Sequence, residues 1–546
     1  MRSREWVYLS DMTLLASELG QLGMRSLAKR VLNSVVARAG DLPQRSEQAD
    51  ILISCARTAA RLRLRRWSHS LLQNAVRAVR AIENPDEQVG ATISAIRACF
   101  QLGDPETAHA LMNWAIRQAH RLEGASQAST LTVLASFLRT HDSKPQHAAA
   151  LLRRARRIWR TLPSPEHRAI GLLRVAHQFR DMGMHTLAAR TLIECARAVR
   201  AVQPSLAQAA IPRRVFADLV QLGHLRMAYA VLRQTEQTLV GQEEGISHRI
   251  FLLRGCASVL AEAGYPNQAR RLFAQARAAA LQLDDTLWRV NELQDLAQGM
   301  REAGLTGSAR FSLRLALRQA RQIANLWQRA LALYGIALTL IEQKRFDEAK
   351  LLLLESLACI RGADGKPESH QVRFIARALA EVGVGTSDNA LLARAVQTAQ
   401  ELSDARIRLS AFLDIARVLA GSGQASHVFS EVLDWAYDLT DSLESASERA
   451  WNYLQLARLM RIARQRSQAK RAMQAALEQI HQIEPPSERA PLLAGLGACL
   501  VRLGDKKQAE ALMEQALALI PEDPEDATLQ QILTALEYEG ETADPS

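Results

Sequence analysis

Residues 16–32 read Ala-Ser-Glu-Leu-Gly-Gln-Leu-Gly-Met-Arg-Ser-Leu-Ala-Lys-Arg-Val-Leu. Ala16 and Ala28 are small and flank Gly23, and Leu32 follows Ala28 by about one helical turn. Apolar residues at such spacings share one face of a helix. A glycine between two such segments supplies the left-handed position that ends the first helix. The small residues let two helix backbones approach closely. The stretch therefore predicts a helical hairpin.

The same pattern recurs about every 40 residues. Turn glycines follow at Gly103, Gly183, Gly223, Gly264, Gly304, Gly383, Gly423 and Gly504. At the remaining turns Arg63, Ser143, Lys344 and Arg464 stand in the glycine's place. The second helices repeat the small residue, as at Ala108, Ala148, Ala188, Ala269 and Ala349, and the first helices do so at Ala56, Ala176, Ala257, Ala297 and Ala337. Pro43, Pro85, Pro163, Pro204, Asp284 and Pro485 punctuate the ends of second helices. One hairpin cannot bury its apolar face alone, so neighbours must stack.

Two small residues twelve apart, with a leucine four residues later, resemble the tetratricopeptide repeat. The likeness runs from about residue 5 to 540. It departs in length, with a unit of about 40 residues against 34. The tetratricopeptide Trp and helix-ending Pro are mostly missing. HEAT-type repeats share the period and remain the structural alternative. The resemblance implies an all-α protein, a right-handed α-solenoid of about 13 helix-turn-helix repeats plus a C-terminal capping helix. Repeats 1–9 are expected over 1–360, an irregular linker or turn with a candidate hinge over 361–389, and repeats up to the thirteenth over 390–526. Residues 527–546 read as the cap, with Leu529, Ile532, Leu533 and Leu536 on one face, followed by an acidic tail.

Composition fits this reading. Hydrophobic residues make up 48% of the chain and aromatic ones 5%, a bias toward close-packed helices rather than sheets. No apolar run reaches the ~18 residues that span a bilayer, so no membrane association and a cytoplasmic location are expected. The six cysteines, Cys55, Cys99, Cys195, Cys256, Cys359 and Cys499, form no CxxC pair and sit at apolar positions, as expected of buried reduced thiols. Net charge is +11, nearly all the positive charge is arginine, and the excess falls in roughly the first 200 residues. That invites an acidic partner or nucleic acid.

Motifs for catalysis are absent: there is no HExxH, GxSxG, Walker A loop or dinucleotide fingerprint. Gly362 to Lys366 has the wrong spacing for a phosphate loop. His141, Asp142 and His147 lack further ligands in sequence reach and read as a solvated loop. No enzyme activity, metal or cofactor is expected.

Two arginine series follow the repeat. The first lies fifteen residues before the turn, at Arg168, Arg249, Arg289, Arg329, Arg408, Arg449 and Arg489. An arginine near a helix N-terminus opposes the macrodipole. It therefore calls for a fixed partner, such as carboxylates or terminal carbonyls of the preceding repeat. By the resemblance, the first helix of each unit lines a concave groove, with positions ten and six before the turn facing it. Those hold Arg213, Arg254 and Arg373, and Arg57, Arg97, His177, Arg417 and Arg458. Arginine grips carboxylate and phosphate with two parallel hydrogen bonds. Such a groove would take an acidic peptide or a phosphorylated segment. The Asn-containing carboxylate clamp of chaperone-binding tetratricopeptide proteins is not visible.

Two denser basic patches are Arg61, Arg63, Arg65 and Arg66, and Arg153, Arg154, Arg156 and Arg157. Both read as solvated faces or as a nucleic-acid surface, with Trp67 and Trp159 nearby as core or stacking residues. The function expected is a non-catalytic scaffold binding a protein or peptide partner; the alternative is nucleic-acid binding through the basic N-terminal third. The sequence leaves oligomeric state open.

Overall fold

A computed structural model describes residues 3–141, 145–199, 206–239, 245–362, 369–422, 427–521 and 527–541. Among them are 27 α-helices, two short 3-10 turns and no strand. The hairpins begin with α1 (Arg4–Gln21) and α2 (Arg25–Ala39), α3 (Arg45–Arg61) and α4 (Arg65–Arg80), and α5 (Pro85–Leu102) and α6 (Pro105–Gln118). Next come α7 (Gly124–His141) and α8 (Pro145–Thr161), α9 (Pro165–Asp181) and α10 (His185–Val199), and α11 (Leu206–Gln221) and α12 (Leu225–Leu239). They continue as α13 (Gly245–Glu262) and α14 (Pro266–Ala280), α15 (Thr286–Glu302) and α16 (Thr306–Gln322), and α17 (Leu326–Glu342) and α18 (Phe346–Gly362). The last are α19 (Ser369–Thr386) and α20 (Asn389–Gln400), α21 (Ala405–Gly421) and α22 (His427–Asp441), α23 (Ala446–Ile462) and α24 (Arg466–Ile480), and α25 (Arg489–Leu503) and α26 (Lys506–Ala518). A single helix, α27 (Thr528–Glu541), ends the series. The chain is an all-α solenoid of stacked hairpins.

The turn between the helices of a hairpin is built as the spacing predicts. Gly23, Gly103, Gly183, Gly223, Gly264, Gly304 and Gly504 all have positive φ. Arg63, Lys344 and Arg464 take the same left-handed conformation without being glycine. In each case the next residue donates its N–H back to the first helix, as Met24 to Leu19 (2.9 Å), Leu64 to Ala59 (2.9 Å) and Leu305 to Met300 (2.7 Å). This bond satisfies a carbonyl that the helix end leaves free. The turn positions Ser143 and Gly423 lie outside the described residues.

One turn departs from the expected register. The helix runs past Gly383 to Thr386, and Ser387 has the positive φ. A Cβ on Gly383 would lie 2.7 Å from Cδ2 of Leu392. Gly383 is thus a packing glycine, letting α20 press against α19, and the turn comes one helical turn later. The stretch 361–389, expected to be irregular, therefore holds a regular first helix. Residues 363–368 of that stretch lie outside the described residues.

The small residues do what their spacing requires. Ala16, Ala28, Ala56, Ala108, Ala257, Ala269, Ala297 and Ala337 are fully buried where helices cross. First helices start on side-chain caps: Asp285 accepts from the Trp288 N–H (2.8 Å), Asn325 from Gln328 (3.0 Å) and Asp404 from Arg406 (2.8 Å). Such a cap contributes typically ~1 kcal/mol.

The helices divide into two compact units. Unit 1 comprises Met1–Glu83, Ser94–Ala108 and Asp364–Ser546; unit 2 comprises Asn84–Ile93 and His109–Ala363. Within unit 1, Leu529, Ile532, Leu533 and Leu536 of α27 are buried, and the helix packs against both α25 and α1. The Gln530 amide donates to Asp11 on α1 at 2.6 Å, and Arg30 on α2 pairs with Glu514 on α26. The C-terminal helix thus covers the last repeat and also joins it to the first.

Candidate functional site

The first arginine series forms a ladder at repeat junctions. Arg289 donates from Nε and Nη2 to the Leu283 carbonyl (3.1 and 2.6 Å) and from Nη1 to Gln319 (2.7 Å). Arg329 reaches the Ile323 carbonyl (2.8 Å), Arg449 that of Leu443 (2.6 Å) and Arg489 that of Ile483 (2.7 Å). Arg168 and Arg408 make longer bonds of 3.4 and 3.3 Å to the Pro163 and Ser403 carbonyls. Arg249 instead takes Glu236 at 2.9 Å. The acceptor is repeatedly the carbonyl six residues back, just past the preceding second helix. These arginines hold one repeat to the next.

Most of the second series is also engaged. His177 on α9 lies 2.6 Å from Asp218 on α11, which also takes Arg180. Arg254 on α13 bonds Asp295 on α15 at 2.5 Å. Arg373 on α19 donates to buried Asp414 on α21 at 2.7 Å, and Arg417 fills the other oxygen of that carboxylate at 2.9 Å. In the His177–Asp218, Arg254–Asp295 and Arg373–Asp414 pairs the acid follows the base by 41 residues. Arg458 corrects the expectation most sharply. Its side chain is 1% exposed, and its Nη2 donates to the Ala535 carbonyl of α27 at 3.3 Å. A guanidinium buried under a helix contacts no ligand. Its position six before the turn faces α27, which the repeat period alone does not show.

Among the described residues, Arg57, Arg97 and Arg213 meet no carboxylate at ion-pair distance. Arg57 makes only a 3.5 Å contact to the Ser94 carbonyl. Burial, followed by the charges of Arg97 and Arg61, pulls its guanidinium below its usual pKa, and Asp50 acts in the opposite sense. Arg97 is exposed. Arg213 lies with its guanidinium 4.9 Å from the Phe251 ring centroid. Gly255 makes this possible, because a Cβ there would stand 2.1 Å from Cδ of Arg213.

Arg213 lines a pocket of about 480 Å³ in unit 2, formed by α11, α13 and α15. Exposed Arg214 and the half-buried Phe251 and Arg254 stand with it, and Gln298 and Glu302 face in from α15. The volume lies in the range of ligand pockets, roughly 300–1,000 Å³. Arg254 is occupied by Asp295, so Arg213 and Arg214 are the cations left to meet a ligand there.

The denser patches divide similarly. Arg61 donates to Ser17 Oγ at 3.2 Å, whereas Arg63, Arg65 and Arg66 are exposed around the first turn of α4. Arg156 grips Glu194 with two bonds of 3.0 and 2.9 Å, and Arg154 lies 3.5 Å from His120. Arg153 and Arg157 are exposed. Trp159 is buried against Gly171, so it is a core residue rather than a stacking platform.

Among the described residues, no cluster of His, Cys, Asp or Glu is arranged to hold a metal, and no helix is long and apolar enough to cross a membrane. Asp142 lies outside those residues. Five cysteines are buried and Cys359 is partly exposed. Burial pushes Cys55 up to about 11 and Cys99 and Cys195 up to about 12, so these thiols stay protonated and unreactive.

No protein-family model and no curated protein matches the sequence. Among solved structures the chain is similar to Ton1535 from Thermococcus onnurineus NA1, at 16% identity over 67% of this chain and 98% of that one, with a TM-score of 0.27. The apo form of RapI gives 12% identity over 64% and 97%, with a TM-score of 0.28. A circular tandem repeat protein with novel repeat topology gives 14% over 98% and 97%, with a TM-score of 0.14. At TM-scores this low these likenesses carry no argument about function, and the case rests on the chain's own geometry.

Proposed function

We propose that the protein is a non-catalytic, tetratricopeptide-like scaffold that binds an extended acidic segment of a partner protein on its first helices. The observation that supports this reading is Arg213. It is held over Gly255 and beside Phe251, lines a pocket, and makes no ion pair among the described residues. A guanidinium fixed by packing has already lost much of its rotamer freedom, so it gives up less on binding a carboxylate. Arg214 beside it supplies a second positive charge. Glu302 and Gln298 on the facing helix favour a segment that pairs its acid with a polar or basic neighbour. Arg57 and Arg97 in unit 1, which form no ion pair among the described residues, are further cations for the same class of partner.

A randomised octapeptide array probed with the full chain tests the proposal. Enrichment of Asp and Glu is expected, and Arg213→Glu with Arg214→Glu should abolish it. Unchanged selection by that variant would sink the assignment. Single-stranded oligonucleotide is the competing ligand: binding that falls steeply with salt, and that persists in the Arg213→Glu variant, would favour the basic N-terminal third instead.

A further inference from the structure

Unit 1 contains a pocket of opposite character. It has a volume of about 630 Å³ and lies between α23, α25 and α27. Trp451 and Leu492 give it apolar surface, and Glu448 and Glu488 give it two carboxylates. Asn452 and Gln531 add neutral polar groups. Among the described residues, no Lys or Arg lines it, although the chain as a whole carries a charge of +11.

Two details point to a cation. The Trp451 side chain is 38% exposed, which leaves an indole, the aromatic group that attracts cations best, open to a ligand. It already draws one cation from inside the protein, since the Arg458 guanidinium lies 5.7 Å from its ring centroid. The second detail is Glu448. Its Oε1 meets Arg406 of α21 at 3.1 Å, and among the described residues its Oε2 has no hydrogen-bond donor. Glu448 lines the pocket, so a cation bound there would offset a carboxylate charge that its own hydrogen bonds leave partly uncompensated. Arg406 is 69% exposed, so its pairing with Glu448 is screened and readily shared. Buried Arg458 opposes a second cation at the indole, and Glu448 and Glu488 together offset it.

We propose that this pocket binds a lysine or arginine side chain carried on an extended segment of a partner protein. The cation would sit between Trp451 and the two carboxylates, with flanking apolar residues against Leu492. The volume exceeds what one side chain needs, which is why a peptide segment is preferred over a free small cation. The site stands apart from the acidic-segment reading above, because it lies wholly in unit 1 and selects the opposite charge.

The test is fluorescence anisotropy with the full chain and a labelled Gly-Leu-Arg-Leu-Gly peptide, against Gly-Leu-Glu-Leu-Gly and free arginine as competitors. The arginine peptide should bind at least tenfold tighter than its glutamate counterpart and than free arginine. Glu448→Gln with Glu488→Gln preserves shape and should weaken it tenfold or more, as should Trp451→Ala, while Trp451→Phe retains part of the affinity. Arg213→Glu should change nothing. Equal affinity for both peptides, unchanged affinity in the double glutamine variant, or free arginine binding as tightly as the peptide would each overturn the proposal. The double glutamine variant carries the test should Trp451→Ala fail to fold.

Discussion

Replacing Arg289 with alanine isolates what the junction arginines contribute. The change removes two hydrogen bonds to the Leu283 carbonyl and one to Gln319. It leaves a carbonyl just past the end of α14 without its donor. Hydrogen bonds to a charged group contribute roughly 1.5–3 kcal/mol. Arg289 is half-buried, so water can replace part of the loss and the low end applies. A cost of about 1.5 kcal/mol is roughly a tenfold rise in local opening. Native-state hydrogen exchange read by mass spectrometry should show that rise in peptides covering α14 and α15. Peptides from α21 to α24 should be unaffected, because α14 and α15 pack on α13, α16 and α17. Arg289→Lys should fall between, since an ammonium cannot reproduce the fork. Unchanged exchange across α14 and α15, or equal acceleration everywhere, would refute the view of Arg289 as a staple between adjacent repeats.

Gly171→Ala would place a Cβ 2.0 Å from Cδ2 of Trp159, a buried indole with nowhere to go; overpacking of this kind costs about 1–3 kcal/mol, readable as faster exchange in α8 and α9. Gly255→Ala meets the flexible side chain of Arg213, so it should cost less stability while weakening acidic-peptide binding in anisotropy. Lys344 holds a positive φ, and Lys344→Gly should slow exchange in α17 and α18 by relieving roughly 1 kcal/mol of left-handed strain. At pH 8, iodoacetamide should label Cys359 first, because Cys55, Cys99 and Cys195 are buried with pKa values pushed well above that pH; rapid native-state labelling of Cys195 would contradict this.

The repeat itself was legible because its signals are local. A left-handed residue between two amphipathic helices leaves a mark at fixed spacing, even where Arg63, Lys344 or Arg464 replaces the glycine. The junction arginines were legible for the same reason, since a cation at a helix start needs a partner. Of the two partners expected for them, terminal carbonyls are the ones most of these arginines take, while the nearby Asp285 and Asp404 cap the helix. The pairing of His177, Arg254 and Arg373 with carboxylates was missed. It joins neighbouring first helices at one repeat plus one residue, a separation of 41 visible only once helix rotation is known. Nor does periodicity reveal that α27 lies over Arg458 and also touches α1, because that contact joins opposite ends of the sequence. The overrun of α19 past Gly383 escaped because a packing glycine and a turn glycine look alike in sequence.

Of the eight residues first expected to meet a partner, Arg57, Arg97 and Arg213 keep an unburied cation with no ion pair among the described residues. The most direct measurement of whether they serve a partner is the affinity of the full chain for one acidic peptide selected on the array. It should be compared across wild type, Arg213→Glu and Arg289→Ala. The account predicts a loss of tenfold or more in Arg213→Glu, with hydrogen exchange unchanged, and full affinity in Arg289→Ala despite its looser junction. Equal affinity in wild type and Arg213→Glu would contradict it.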